Sequence, residues 1–309
     1  KVNFPSSISY LDDEVLQRAI ILIRTGKYPL AIKTLNSLLK DYPISKLRDE
    51  ANYWLGYVTS INAELLRKKN KELAFQKYKN SIQFFKNSDP TKLAQSQRQE
   101  RLYLTGRAWW FLNDIHKTED VWQEYLKQST SIKPEKALNI KHQLASKFQL
   151  VKKYEQAEKW FELIVTDHPN SKLASGSTFW RAEMAYNASL QRTGTADLGP
   201  KLINHLVNNY KIYLAKKDKK YLPLTFYRIG VLGQKHQPKE SIVAFQQYLS
   251  TKDKTYASEV QYRLAYLFIE SNQLKKAIET FSTYLSTKDK TYADDSQYRL
   301  GYLYIETKK

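Results

Sequence analysis

The chain has 309 residues, 42% of them hydrophobic and 26% charged, with 50 Lys and Arg against 31 Asp and Glu and a formal net charge of +19. Cysteine is absent, which excludes disulfide frameworks, cysteine-ligated zinc and thiol catalysis. Nine Gly and nine Pro are too few for a loop-rich β protein, and a single core stops growing at roughly 250–300 residues, so a repeat array suits this length better than one compact domain. No apolar run approaches the roughly 18 residues that span a bilayer; Ala19–Ile23 is the best and is far too short. The chain opens on Lys1 rather than Met, which reads as a mature or trimmed product.

Apolar periodicity predicts seven helix pairs, at about 10–42, 46–88, 92–130, 135–168, 172–214, 222–251 and 257–287, and an unpaired last helix at about 293–307. In the first pair, Ala31, Ile32, Leu35, Leu38 and Leu39 recur at steps of three and four behind Tyr28. Asp41-Tyr42-Pro43-Ile44-Ser45 follows, where Pro should stop one helix and Ser should cap the next. The second unit is lengthened near Leu66–Lys71. The fourth pair repeats the pattern of the first, with Tyr154, Ala157, Phe161 and Ile164, and ends on Asp167-His168-Pro169-Asn170-Ser171. Gln191–Pro200 reads as a loop, because it holds Thr193-Gly194-Thr195 and Gly199-Pro200.

The first helices share a different mark, an aromatic three residues before Gly or Ala. The pairs are Tyr53/Gly56, Tyr103/Gly106, Phe179/Ala182, Tyr227/Gly230, Tyr262/Ala265 and Tyr298/Gly301. Gly inside a helix costs up to about 1 kcal/mol, so its recurrence points to close helix approach. Near the C-terminus the repetition is literal. Leu249–Ala257 and Leu285–Ala293 both read LSTKDKTYA, 36 residues apart, and Gln261–Leu264 matches Gln297–Leu300. A diverged copy runs from Leu214 to Tyr221. The turn between the helices of this unit is Ser271-Asn272-Gln273.

The pattern of a small residue, a turn, Tyr-x-x-Ala, an aromatic or Leu, then Pro at the unit end resembles the tetratricopeptide repeat (TPR) family. Pentatricopeptide, half-a-TPR and Sel1-type repeats fit less well. The two Pro-x-Ser boundaries, leading into Tyr53-Trp54-Leu55-Gly56 and Phe179-Trp180-Arg181-Ala182, are similar to those of bacterial envelope TPR proteins of the BamD-like and Tol–Pal-associated type. The resemblance implies an all-α, right-handed superhelical solenoid of about seven helix–turn–helix repeats, continuous over 1–309. Diverged repeats would occupy 1–190 and near-identical ones 201–309. It also implies that first helices line the concave face.

On that expectation a partner groove is formed by each first-helix aromatic and the residue four positions on: Tyr53 and Tyr57, Tyr103 and Arg107, Tyr262 and Tyr266, Tyr298 and Tyr302, with Trp110, Phe179 and Tyr227. The alternative is that these side chains pack between helices. Trp54, Trp122, Trp160 and Phe161 are assigned to the core. Arg228, Arg263 and Arg299 repeat in register, as expected of inherited salt-bridge ladders.

No catalytic, cofactor or metal site is predicted. The histidines, His116, His142, His168, His205 and His236, lack H-x-x-x-H spacing, and no P-loop, GxSxG or GxGxxG occurs. Asp12-Asp13 and Asp294-Asp295 read as charges at helix N-termini. Two functions fit. One is a non-enzymatic scaffold or adaptor in the bacterial envelope, periplasmic and binding a peptide or subunit. The other is a binder of nucleic acid or another anionic polymer, with a cytoplasmic location open. The second reading rests on the charge, although the lysines are scattered and the densest cluster, Lys216, Lys217, Lys219 and Lys220, is interrupted by Asp218. The last helix is too aromatic for a terminal cap, so either more repeats follow it or a partner covers it.

Overall fold

A computed structural model describes residues 8–128, 132–195, 198–216 and 218–308. Lys1 and Lys217 lie outside the described residues. Fifteen α-helices, one 3-10 turn (Pro90–Lys92) and no strand occur among the described residues. The helices are α1 (Ile8–Arg24), α2 (Tyr28–Asp41), α3 (Arg48–Leu66), α4 (Lys71–Lys86), α5 (Gln95–Phe111), α6 (Ile115–Lys127), α7 (Pro134–Leu150) and α8 (Tyr154–Asp167). They continue as α9 (Ala174–Thr193), α10 (Pro200–Leu214), α11 (Leu222–Gly233), α12 (Pro238–Ser250), α13 (Ala257–Glu270), α14 (Leu274–Leu285) and α15 (Ala293–Thr307). The chain forms two compact units, Lys1–Ile140 and Lys141–Lys309.

Local chemistry explains the tight turns. At Gly26, Asn113, Lys152 and Asn272 the backbone takes a positive φ of 55–74°. The next residue's N–H then reaches back five positions, from Lys27 to Leu22, Asp114 to Trp109, Lys153 to Phe148 and Gln273 to Phe268, each at 2.8–3.1 Å. This is the Schellman closure that satisfies a helix's last carbonyls and reverses the chain. Between pairs, α2 and α8 stop at Asp41 and Asp167, two residues before Pro43 and Pro169. The serines do not cap as expected. Leu47 and Leu173 are the N-cap residues of α3 and α9. Ser45 instead closes its own turn by accepting the Leu47 N–H (3.0 Å), and its hydroxyl donates to Asp12. Asp12 is accordingly buried against that turn and is not a first-turn charge of α1. The long α9 also absorbs the start of the predicted loop, which opens only at Gly194 in the left-handed region.

Within pairs, the glycines of first helices admit an aromatic from the second. A Cβ on Gly56, Gly106 or Gly230 would lie 2.6, 2.2 and 2.3 Å from the rings of Phe85, Trp122 and Phe245. The ring of each second helix therefore sits on the backbone of the first, which bare methylene geometry alone permits. Trp122, Trp160 and Phe161 are buried as expected. Trp54 is only half-buried, because its indole N–H turns to Glu50 at the surface (3.2 Å).

In the second unit the Lys-Asp-Lys-Thr-Tyr turn has a defined construction. The Asp289 carboxylate accepts the Thr291 N–H (2.9 Å) and hydroxyl (2.6 Å), and these bonds hold it below the usual carboxylate range. Lys290 donates to the Leu285 and Thr287 carbonyls at 3.1 Å, closing the end of α14. The Tyr292 N–H then donates to the Tyr284 hydroxyl (2.7 Å). The same bond recurs from Tyr256 to Tyr248 (2.7 Å) and from Tyr221 to Tyr213 (2.9 Å). Changing Tyr284 to Phe removes the acceptor of a turn N–H, and should cost about 0.5–1.5 kcal/mol. An unchanged urea midpoint for that variant would remove the hydroxyl from this account.

Candidate partner-binding surface

In the first unit, α3 carries Tyr57, and α5 carries Tyr103, Arg107 and Trp110. Tyr57, Tyr103, Arg107 and Trp110 are all half-buried. Arg107 lies 5.7 Å from the centroids of both Tyr103 and Phe111 and is paired with Glu64. Lys136 stands 3.5 Å above the Tyr103 ring and 3.2 Å from Glu100. Burial, with the Glu100 charge adding to it, raises the Tyr57 hydroxyl above its ordinary pKa, so it stays a neutral donor. Trp54 meets Tyr57 edge-on at 5.5 Å, and Trp110 stacks on buried Trp122 at 5.9 Å. The result is a set of half-buried aromatic rings beside both signs of charge.

Tyr53 does not join it. It is buried, 6.3 Å from Phe85, because it lies on the side of α3 that meets α4. Burial pushes its hydroxyl well above the ordinary tyrosine pKa.

Phe179 and Tyr227 are corrections of the same kind in the second unit: they are 0% and 9% exposed and belong to the core. Phe179 stacks on Tyr221 at 4.4 Å, and Tyr227 on Tyr256 at 4.1 Å. The tyrosine that ends each of these turns folds back over the aromatic of the preceding first helix and closes it off. Tyr262 is covered likewise by Tyr292 (4.2 Å), but it and Tyr266 remain half-buried. Both hydroxyls donate to Asp295, at 3.1 Å for Tyr262, and Arg299 donates to the Tyr266 hydroxyl at 3.0 Å. Those groups are engaged internally rather than offered to a ligand. Tyr298 and Tyr302 are exposed on α15.

The repeated arginines form ion pairs, Arg228 with Glu183 (2.8 Å), Arg263 with Glu259 (2.7 Å) and Arg299 with Asp295 (3.6 Å). Glu64, Glu100 and Lys136 were not legible as surface residues in the sequence. Their partners lie 36 or 43 residues away, and no local pattern marks them. The turn tyrosines were visible as a repeat, yet only their geometry reveals that they cover the first-helix aromatics. No cluster of three His, Cys, Asp or Glu suited to a metal, and no helix long and apolar enough to cross a membrane, occurs among the described residues.

A family model for the tetratricopeptide repeat matches residues 15–43, the segment holding most of α1 and all of α2. No curated protein matches. Among solved structures, the C-terminal part of a TPR repeat-containing protein from Cytophaga hutchinsonii aligns with a TM-score of 0.50 at 14% identity, covering 91% of this chain and 98% of that one. A chain of the Naa15/Naa10 assembly bound to HypK-THB aligns with a TM-score of 0.53 at 13% identity, covering 94% of this chain. The present chain spans 39% of that longer one. These likenesses support a TPR-type helical-repeat fold.

Proposed function

We propose that this chain is a non-enzymatic interaction scaffold that holds a peptide segment or a subunit of a larger assembly on the α3–α5 surface formed by Tyr57, Tyr103, Arg107 and Trp110. TPR proteins are generally protein-interaction scaffolds. The single observation that carries the assignment is the contrast among the aromatics. Tyr53, Phe179 and Tyr227 are inside, while Tyr57, Tyr103 and Trp110 keep part of their rings at the surface beside Arg107, Glu64, Glu100 and Lys136. A location in the bacterial envelope rests on the two Pro-x-Ser boundaries and the absence of cysteine.

Tyr103→Ala and Arg107→Ala, made separately, should each weaken partner capture from native envelope extract about tenfold, as for aromatic and arginine anchors at interfaces. Equal capture by wild type and both variants would sink the assignment. Net charge favours the second reading, an anionic polymer. Titration with random-sequence RNA separates the two. Phosphate contacts weaken steeply as salt rises, so tight and salt-sensitive binding that survives Tyr103→Ala would replace the scaffold by a nucleic-acid binder.

A further inference from the structure

The turn between α3 and α4 reads Arg67-Lys68-Lys69-Asn70, and α4 opens on Lys71, so four cations fall in five residues with no acid among them. The turn takes its shape without the lysine side chains. The Lys69 and Asn70 N–H groups donate to the Leu66 carbonyl at 2.8 and 2.7 Å, and Asn70 caps α4 by accepting the Leu73 N–H (3.0 Å). The turn lysines of the second unit differ. Lys254 and Lys290 donate to the Leu249 and Leu285 carbonyls at the ends of α12 and α14. Lys68, Lys69 and Lys71 are exposed and make no ion pair or side-chain hydrogen bond among the described residues. Like charges held side by side with no structural task attract a partner of the opposite sign.

Two aliphatic side chains flank the turn. Leu65, in the last turn of α3, is 59% exposed, and Leu73, in the first turn of α4, is 43% exposed. Of the acids beside them, Glu64 is paired with Arg107, which leaves Glu72 against four cations. Exposed leucines among cations suit a phospholipid surface, where headgroup charges meet the lysines and the leucines enter the acyl boundary. They suit a nucleic acid less, because single strands are held by bases that stack on open aromatic faces. The rings at this edge already carry other groups. Arg67 lies 4.3 Å from the Phe111 centroid, and Tyr78 stacks on the same ring at 5.1 Å. Lys71 is 5.4 Å from the Phe75 centroid and Lys117 is 4.3 Å from that of Trp109. All three rings pack on one buried cluster, so this is a single edge of the first unit.

We propose that the α3–α4 turn docks the chain on an anionic lipid surface, with Lys68, Lys69 and Lys71 on the headgroup charges and Leu65 and Leu73 in the acyl boundary. The attachment is peripheral, since no described helix is long and apolar enough to cross a bilayer. The inference goes beyond the scaffold reading and uses none of Tyr57, Tyr103 and Trp110, so either can fail without the other.

The probe is vesicles of phosphatidylcholine with about 30% phosphatidylserine, compared with pure phosphatidylcholine, in co-sedimentation with the full chain. Binding to the anionic vesicles alone is expected, and it should weaken as salt rises. Lys68→Gln, Lys69→Gln and Lys71→Gln together should weaken it on the order of a hundredfold, about fivefold for each cation removed. Removing as many exposed lysines from the second unit, by Lys252→Gln, Lys275→Gln and Lys288→Gln, should cost less than about fivefold. Leu65→Gln with Leu73→Gln should weaken binding about tenfold. Tyr103→Ala should leave it unchanged. Backbone bonds and Asn70 hold the turn, so the circular dichroism of the first lysine triple should match wild type. No preference for the anionic vesicles, equal losses from the two lysine triples, or no effect of the leucine changes overturns the proposal. So does tighter binding of random-sequence RNA that ignores both leucines, which would give the turn to a nucleic acid.

Discussion

Replacing Glu183 by Ala should lower the unfolding free energy of the second unit by about 3–5 kcal/mol, the range for removing one partner of a buried ion pair. Glu183 lies on α9 and is almost wholly buried. It accepts Arg228 Nε at 2.8 Å and Nη2 at 3.1 Å from α11, and the Tyr210 hydroxyl from α10. One carboxylate thus ties three helices together. Burial works against the Arg228 charge, but the bonds to Glu183 and its negative charge outweigh that, and the guanidinium pKa rises further above its ordinary value. Its face also lies 4.7 Å from the Tyr186 centroid. Without Glu183 a largely buried cation and the Tyr210 hydroxyl both lose their acceptor. Changing Arg228 to Met in the same protein should recover part of the loss, because no uncompensated charge then remains. Urea denaturation of wild type, single and double variants measures this. A single-variant loss below about 1 kcal/mol would show that the pair behaves as an exposed one.

Gly106→Ala and Gly301→Ala should shift stability in opposite directions. Both glycines lie in the middle of a first helix, three residues after a tyrosine, so helix propensity favours Ala at either by up to about 1 kcal/mol. At Gly106 the new methyl would meet Trp122 Cδ1 and Nε1 at 2.2 Å. That ring is buried and is held by its N–H bond to the Tyr103 carbonyl (3.2 Å), so it has little room to give. Overpacking of this kind costs about 1–3 kcal/mol, which exceeds the propensity gain. At Gly301 the methyl meets nothing, and only the gain remains. Thermal unfolding of the two variants checks the sign, and a stabilised Gly106→Ala protein would refute the close approach of α5 and α6.

Helix placement was legible in the sequence because its causes are local. Ala31, Leu35 and Leu38 recur at helical steps and are all buried on one face of α2. Pro43 and Pro169 mark helix ends, and Asn272 sits in the left-handed turn that Ser271-Asn272-Gln273 foretold. The same holds for Gly56, Gly106 and Gly230, where a recurring Gly signals a close neighbour before that neighbour is known. What local pattern could not decide was which aromatic faces outward. Tyr53 and Tyr57 lie on adjoining turns of one helix, yet one is buried and the other half-open. Phe179 and Tyr227 are closed by Tyr221 and Tyr256, which come from the turn after the second helix. Tyr298 carries the same motif as Tyr262 and is exposed where Tyr262 is covered. Helix and turn formation depend on neighbours within about five residues, which the sequence displays directly. Burial depends on side chains that arrive from a different helix, and only the packed tertiary structure brings those to each ring.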